Sequence, residues 1–255
     1  MPKHIEDKLE DTFKGTVYVT REELLDFFHV FEPDLHEGTF GWRIHDLKNK
    51  NIIKPVKKGL YTLTRKPRYK PGVSPEALKL ARYITNQFEN LKYCIWETAW
   101  LNEFSRHQAS KKMILIEVEK GFVESLYFGL KDHFRFDFFI NPDEKEIRFY
   151  ISESFQPVVI KKLIKRSPVS KRTEKKITFY TPLLEKILVD FFAEEKLFYF
   201  YQGAELANIY ENALSSYAVN FTKLLSYAGR REKKHEIKEF LMEHMPHLAK
   251  DMLDD

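Results

Sequence analysis

With one cysteine in 255 residues, Cys94 has no partner for an internal disulfide, and the chain cannot build a thiolate metal cluster. A reducing cytoplasm is the expected setting, and Cys94 itself reads as a small buried hydrophobe. Long apolar runs are also missing. The run 187–193 is short and carries Asp190, so no bilayer-crossing segment and no membrane partner are expected. Glu6, Asp7, Glu10 and Asp11 stand where a secretory leader would need a basic start and an apolar core. Gly-rich phosphate loops, zinc signatures and nucleophile elbows do not occur. The chain is therefore read as non-enzymatic, with no cofactor and no metal.

Aromatic residues are abundant. The 22 phenylalanines and 13 tyrosines sit in a chain that is 43% hydrophobic, enough for a substantial core in two or three domains. The pattern predicts an α+β protein with an N-terminal winged helix-turn-helix over 1–66, a central mixed α/β unit over 67–170 and a C-terminal helical bundle over 171–255. Ile5, Leu9 and Phe13 mark a first amphipathic helix. A short strand at 17–19 follows, and Thr20 with Glu23 has the spacing of a capping box for a second helix that Pro33 ends. Phe40, Ile44 and Leu47 share the buried face of a third helix, turning Arg43, Asp46, Asn49 and Lys50 away from it. Residues 52–63 read as a two-stranded wing that turns at Gly59.

Charge is concentrated in this head. From Arg43 to Lys70 ten basic residues face one acidic residue, Asp46, while the whole chain carries only +4. A focused positive field suits double-stranded DNA, because phosphate contacts release condensed counterions. Arg43 is the candidate for a guanine edge, since its guanidinium can engage two acceptors at once. Trp42, His45, Asn49 and Lys50 are candidates for base or sugar contact, and Lys57, Lys58, Arg65 and Lys66 for the backbone. Blander roles compete: Trp42 packing at a domain boundary, His45 capping or meeting solvent, and the lysines simply solvated.

Three prolines and a glycine within 65–75 mark a linker, after which Ser74 and Pro75 start a helix. Strands are read at 113–118, 134–138, 147–151 and 158–164, with a helix over 121–130. Glu117, Glu119 and Asp137 invite a metal-dependent nuclease reading, but Lys120 is one position out of place for it. Further helices begin at Thr181-Pro182 and near Ala204, Phe221 and Ile237. They either complete a core or present an apolar patch rimmed by Lys223, Arg230, Arg231 and Lys234 to a protein partner. Residues 161–176 hold eight basic residues against Glu174, which either extends a DNA footprint or attracts an acidic partner.

The stretches VKKGLYTL, ILIEVEKGFVESLYFGL, TPLLEKILVDFF, YQGAEL and LLSYAGRR, in this order, resemble the AbiEi-like antitoxins of type IV toxin–antitoxin systems, a group tied to phage abortive infection. The resemblance spans almost the whole chain and points to an uncharacterised bacterial branch. It implies an antitoxin and transcriptional autorepressor that binds operator DNA and counteracts a nucleotidyltransferase toxin, with or without direct contact. The DNA role would then fall on Arg43, Lys48, Lys50, Lys57 and Lys58. Antitoxicity would fall within 76–245, with Glu185, Asp190, Glu205, Tyr227, Arg230 and Arg231 as the polar points. The alternatives are a protein–protein adaptor whose winged helix is architectural, and a metal-dependent nuclease.

Overall fold

The computed structural model describes residues 3–13, 16, 18–49, 52–63, 67–106 and 112–246. Three helices, α1 (Lys3–Thr12), α2 (Arg21–Phe31) and α3 (Glu37–Asn49), accompany a small antiparallel sheet of β1 (Val19–Thr20), β2 (Lys54–Lys57) and β3 (Leu60–Thr62) in the order β1-β3-β2. The Thr20 hydroxyl accepts the Glu23 N–H at 3.1 Å while the Glu23 carboxylate takes the Thr20 N–H at 2.7 Å, so both ends of the capping box are made. Phe28, Phe40 and Leu47 close the core of this head. At the β2–β3 tip Gly59 adopts φ +78°, a conformation a side chain disfavours.

The body is built on a six-stranded mixed sheet in the order β6-β7-β5-β4-β9-β8. Its strands are β4 (Tyr93–Glu97), β5 (Ile114–Val118), β6 (Asp137–Ile140), β7 (Pro157–Lys162), β8 (Val169–Glu174) and β9 (Ile177–Pro182). Side chains alternate across it. Tyr93, Ile95 and Ile116 pack under α4 (Pro75–Gln87) and α5 (Val123–His133), whereas Cys94, Trp96 and Leu115 join the core on the other face. That second face is covered by α7 (Leu184–Ala193), α8 (Ala204–Ser216), α9 (Phe221–Arg230) and α10 (Lys234–His244). The chain is thus an α+β protein with N-terminal helices and wing-like strands, a central mixed sheet and C-terminal helices.

Several elements differ from the sequence reading. The strand expected at 147–151 is helical: α6 (Glu144–Glu146) opens with a capping box between Asp143 and Glu146 and runs on as a π-turn over Ile147–Ile151. Ile147 and Ile151 are buried while Phe149 is 63% exposed, a spacing of four rather than two. The boundary set at 170/171 cuts through the sheet, because β8 and β9 complete it. Nor is the stretch around 65–75 a free tether. Tyr69 is buried with its ring against Phe104 and Tyr217, and its hydroxyl donates to the Trp100 carbonyl at 2.6 Å. Val56 and Leu60 of the wing strands belong to the body core, which joins head to body.

Candidate functional site

Two regions gather the residues singled out from sequence. The first is the outer face of α3. Phe40, Ile44 and Leu47 face inward, leaving Gly41, Trp42 and His45 exposed, with Trp42 at 74%. Trp42 does not pack at a domain boundary; its ring meets only that of His45, edge-on at 6.0 Å, among the described aromatic contacts. Arg43 is placed differently from the sequence expectation. Its Nη2 donates to both Glu32 carboxylate oxygens at 3.1 Å, so its guanidinium is tied to the end of α2 by an ion pair instead of standing free for a base. Lys48 lies 5.1 Å from the Tyr61 ring centre, tying α3 to the wing. Lys57 is half-buried and Lys58 exposed at the tip. Lys50, Arg65 and Lys66 lie outside the described residues, as does the side chain of Asn49.

The second region is an ion network between the sheet and the C-terminal helices. Parallel pairing sets Glu117 of β5 opposite Lys161 of β7, both on the face that α7 covers. Lys186 of α7, with no exposure, donates to Glu117 at 2.6 Å and to Asp190 one turn on. Trp96 Nε1 donates to the same Glu117 oxygen at 2.9 Å, and the Tyr227 hydroxyl donates to Asp190 at 2.8 Å. Arg231 stands 3.3 Å from Asp190 and donates to Glu194 at 2.6 Å, and Glu194 is also held by Lys161. Burial opposes charge on Lys186, but the Asp190 and Glu117 carboxylates outweigh it and hold its pKa well above the ordinary lysine value. Asp190 is likewise penalised by burial, yet Lys186, Lys161 and Arg231 keep its pKa below the usual carboxylate value. Burial first, and then the Asp190 charge, push the Tyr227 phenol upward. Lys186 and Asp190 are thereby held in their charged forms, each by the other. Glu117, Lys161, Asp190, Glu194 and Arg231 line a cleft of about 740 Å³ that Asp143, Glu144 and Lys196 also line.

Of the six polar points read in the tail, Asp190, Tyr227 and Arg231 converge here, and the other three do not. Buried Glu185 accepts the Asn220 N–H at 2.8 Å; Glu205 accepts the Arg106 N–H at 2.7 Å; exposed Arg230 donates to the Arg166 carbonyl at 3.3 Å. The nuclease trio is dispersed. Glu119 is exposed past the end of β5, and Asp137 pairs with Pro157, four positions along β7 from the partner of Glu117. Among the described residues no group of three or more His, Cys, Asp or Glu side chains is arranged to hold a metal ion. Sequence reasoning missed Lys186, Lys161, Glu194 and Trp96. A signal existed in LEKILVDFF, where lysine and aspartate four apart sit on an otherwise apolar helix and so have to neutralise each other.

These features define an α+β protein whose third helix leaves Trp42 and His45 exposed and whose body holds buried ion pairs between sheet and helices. The model of a family of unknown function, DUF6577, matches residues 39–247, and the chain belongs to that family. No curated protein matches the chain. Among the described residues, no helix is long and apolar enough to cross a membrane.

Proposed function

We propose that this protein is an antitoxin and autorepressor of a type IV toxin–antitoxin operon, reading duplex DNA through its head and counteracting a nucleotidyltransferase toxin through its body. One observation carries the reading: the order helix–strand–helix–helix–strand–strand from α1 to β3, with the outer face of α3 bare at Trp42 and His45 and Lys58 exposed at the β2–β3 tip. That is the order of a winged helix-turn-helix, in which α3 enters the major groove and the hairpin follows the backbone. Trp42, His45 and Lys58 are the exposed contacts, while Arg43 orients α3 through Glu32.

The antitoxin half rests on convergence. ILIEVEK, TPLLEKILVDFF and LLSYAGRR, three of the stretches that carry the resemblance, supply Glu117, Lys186 with Asp190, and Tyr227 with Arg231 to one network. Because Glu117, Lys186, Asp190 and Tyr227 are buried, contact with a partner falls to the surface beside the cleft. Phe149, Tyr150 and Phe155 on one segment and Tyr199 and Phe200 on the next are exposed, and the Lys196–Glu144 ion pair joins the two segments. Clustered exposed aromatics mark protein contact.

The reading predicts a nucleotidyltransferase gene beside this one. Co-expression with its product restores growth if the reading holds. A toxic neighbour that this protein leaves fully toxic overturns the antitoxin half, and duplex binding that ignores Trp42 and Lys58 overturns the repressor half.

A further inference from the structure

Three shallow depressions on the body share rims and form one continuous trough that starts at the wing. The first lies between β2 and α9 and is flanked by Lys54, Arg68 and Lys223. The second shares Lys223 and adds Arg166 and Arg230. The third shares Arg166 and adds Lys165 and Lys92. Two carboxylates line the trough. Glu185 is buried and spent on the Asn220 N–H, which leaves Glu119 as the exposed one. Among the described residues no carboxylate forms an ion pair with Lys165, Arg166, Lys223 or Arg230.

Like charges are held together here by the backbone. Arg166 occupies the left-handed region at φ +56° in the β7–β8 turn, a conformation that costs a non-glycine residue free energy, and its carbonyl accepts from the Arg230 guanidinium at 3.3 Å. At the other end, partial burial and then the Arg68 charge lower the Lys54 pKa. Lys165, Arg166, Lys223 and Arg230, crowded with no carboxylate partner among the described residues, are stabilised by an external polyanion.

We infer that the trough carries the sugar–phosphate backbone of the same duplex that the head engages, so that the footprint extends from the wing across α9 to the β7–β8 turn. The inference rests on the DNA-binding reading of the head. A run of phosphates is the ligand that Lys223, Arg230, Arg166 and Lys165, lining depressions that reach β2, fit. The basic stretch at 161–176, ambiguous in sequence, thereby acquires a direction: its Lys165 and Arg166 face the trough, whereas Lys161 turns inward to Glu194.

The test is a salt titration of the full chain on a duplex of about 30 base pairs from its own upstream region, roughly three helical turns. Each phosphate contact contributes about 0.9 to the slope of log affinity against log salt. The triple variant K165A/R166A/R230A is expected to flatten the slope by roughly 2 to 3 while keeping the preference for the upstream sequence. A wild-type slope retained by a folded triple variant overturns the extended footprint and leaves the head reading standing. Loss of sequence preference in W42A with the trough intact supports the head separately. A wild-type protein that binds no duplex overturns both, and trough-dependent binding of a single-stranded RNA of equal length in its place would assign the surface to another ligand.

Discussion

Lys186 Nζ stands 2.6 Å from Glu117 Oε1, and together with Asp190 this ammonium pins α7 to the centre of the sheet where both side chains of the pair are shut off from water. Removing the lysine strands two buried carboxylates. Lys186→Met is expected to cost about 3 to 5 kcal/mol, the range for breaking one partner of a buried pair. A urea denaturation curve reads this directly.

The same pair sets a pH response. Asp190 has a depressed folded pKa, so its contribution is present above the unfolded value and is lost as the pH falls through the folded one. Lys186 has a raised pKa, so its contribution is complete below the unfolded value and is lost only as the pH rises through the folded one. Wild-type stability therefore falls in acid, below the usual carboxylate range. In Lys186→Met the Asp190 carboxyl loses the largest of the charges that hold its pKa down while keeping its burial, so its folded pKa rises and the acid loss of stability becomes shallower than in wild type. Melting temperatures of both proteins from neutral pH into acid check it, and a variant whose stability falls as steeply as that of wild type contradicts it.

Arg43 and Trp42 are neighbours in sequence with opposite duties. Arg43→Ala loses the ion pair to Glu32, loosening α3 and lowering both the melting temperature and affinity for all duplexes. Trp42→Ala leaves the melting temperature unchanged, since the ring is exposed, and lowers discrimination between upstream and random DNA by about 1 to 3 kcal/mol. Thermal melting alongside duplex titration separates the two.

At the wing, Gly59→Ala forces a side chain into φ +78° and is expected to cost roughly 1 to 2 kcal/mol. The Cβ itself meets only Arg21 Cβ at 3.9 Å, an ordinary contact, so the cost is conformational rather than steric crowding. A melt that is unaltered would show that the turn has relaxed.

Beside the cleft, Phe149→Ser with Phe155→Ser is expected to abolish growth rescue against the neighbouring toxin while DNA affinity and melting temperature stay put, as both rings are exposed. Growth on co-expression is the readout, and full rescue would move the partner surface elsewhere.

Local grammar was legible in the chain. Thr20 with Glu23, and Ser74 before Pro75, announced the starts of α2 and α4, and the face of Phe40, Ile44 and Leu47 is the buried face of α3. Strand signals failed where the period misled. The apolar residues 147, 149 and 151 alternate like a strand, but Asp143 and Glu146 already had capping-box spacing and helix won. Edge strand β8 carries Lys171, Arg172 and Glu174, so no apolar alternation announced it; charge on an edge discourages pairing with other chains. The ion network was invisible for another reason. Its members come from β4, β5, β7, α7 and the end of α9, and only the sheet register makes Glu117 and Lys161 neighbours.

The proposed DNA-binding role rests on the outer face of α3. Its most direct measurement is the affinity of wild type and of W42A/H45A/K58A for the upstream duplex and a scrambled duplex, at several salt concentrations. Wild type is expected to prefer the upstream sequence with a steep salt dependence, and the triple variant to lose the preference with its melting temperature intact. Equal affinity of both proteins for both duplexes at every salt concentration would contradict it.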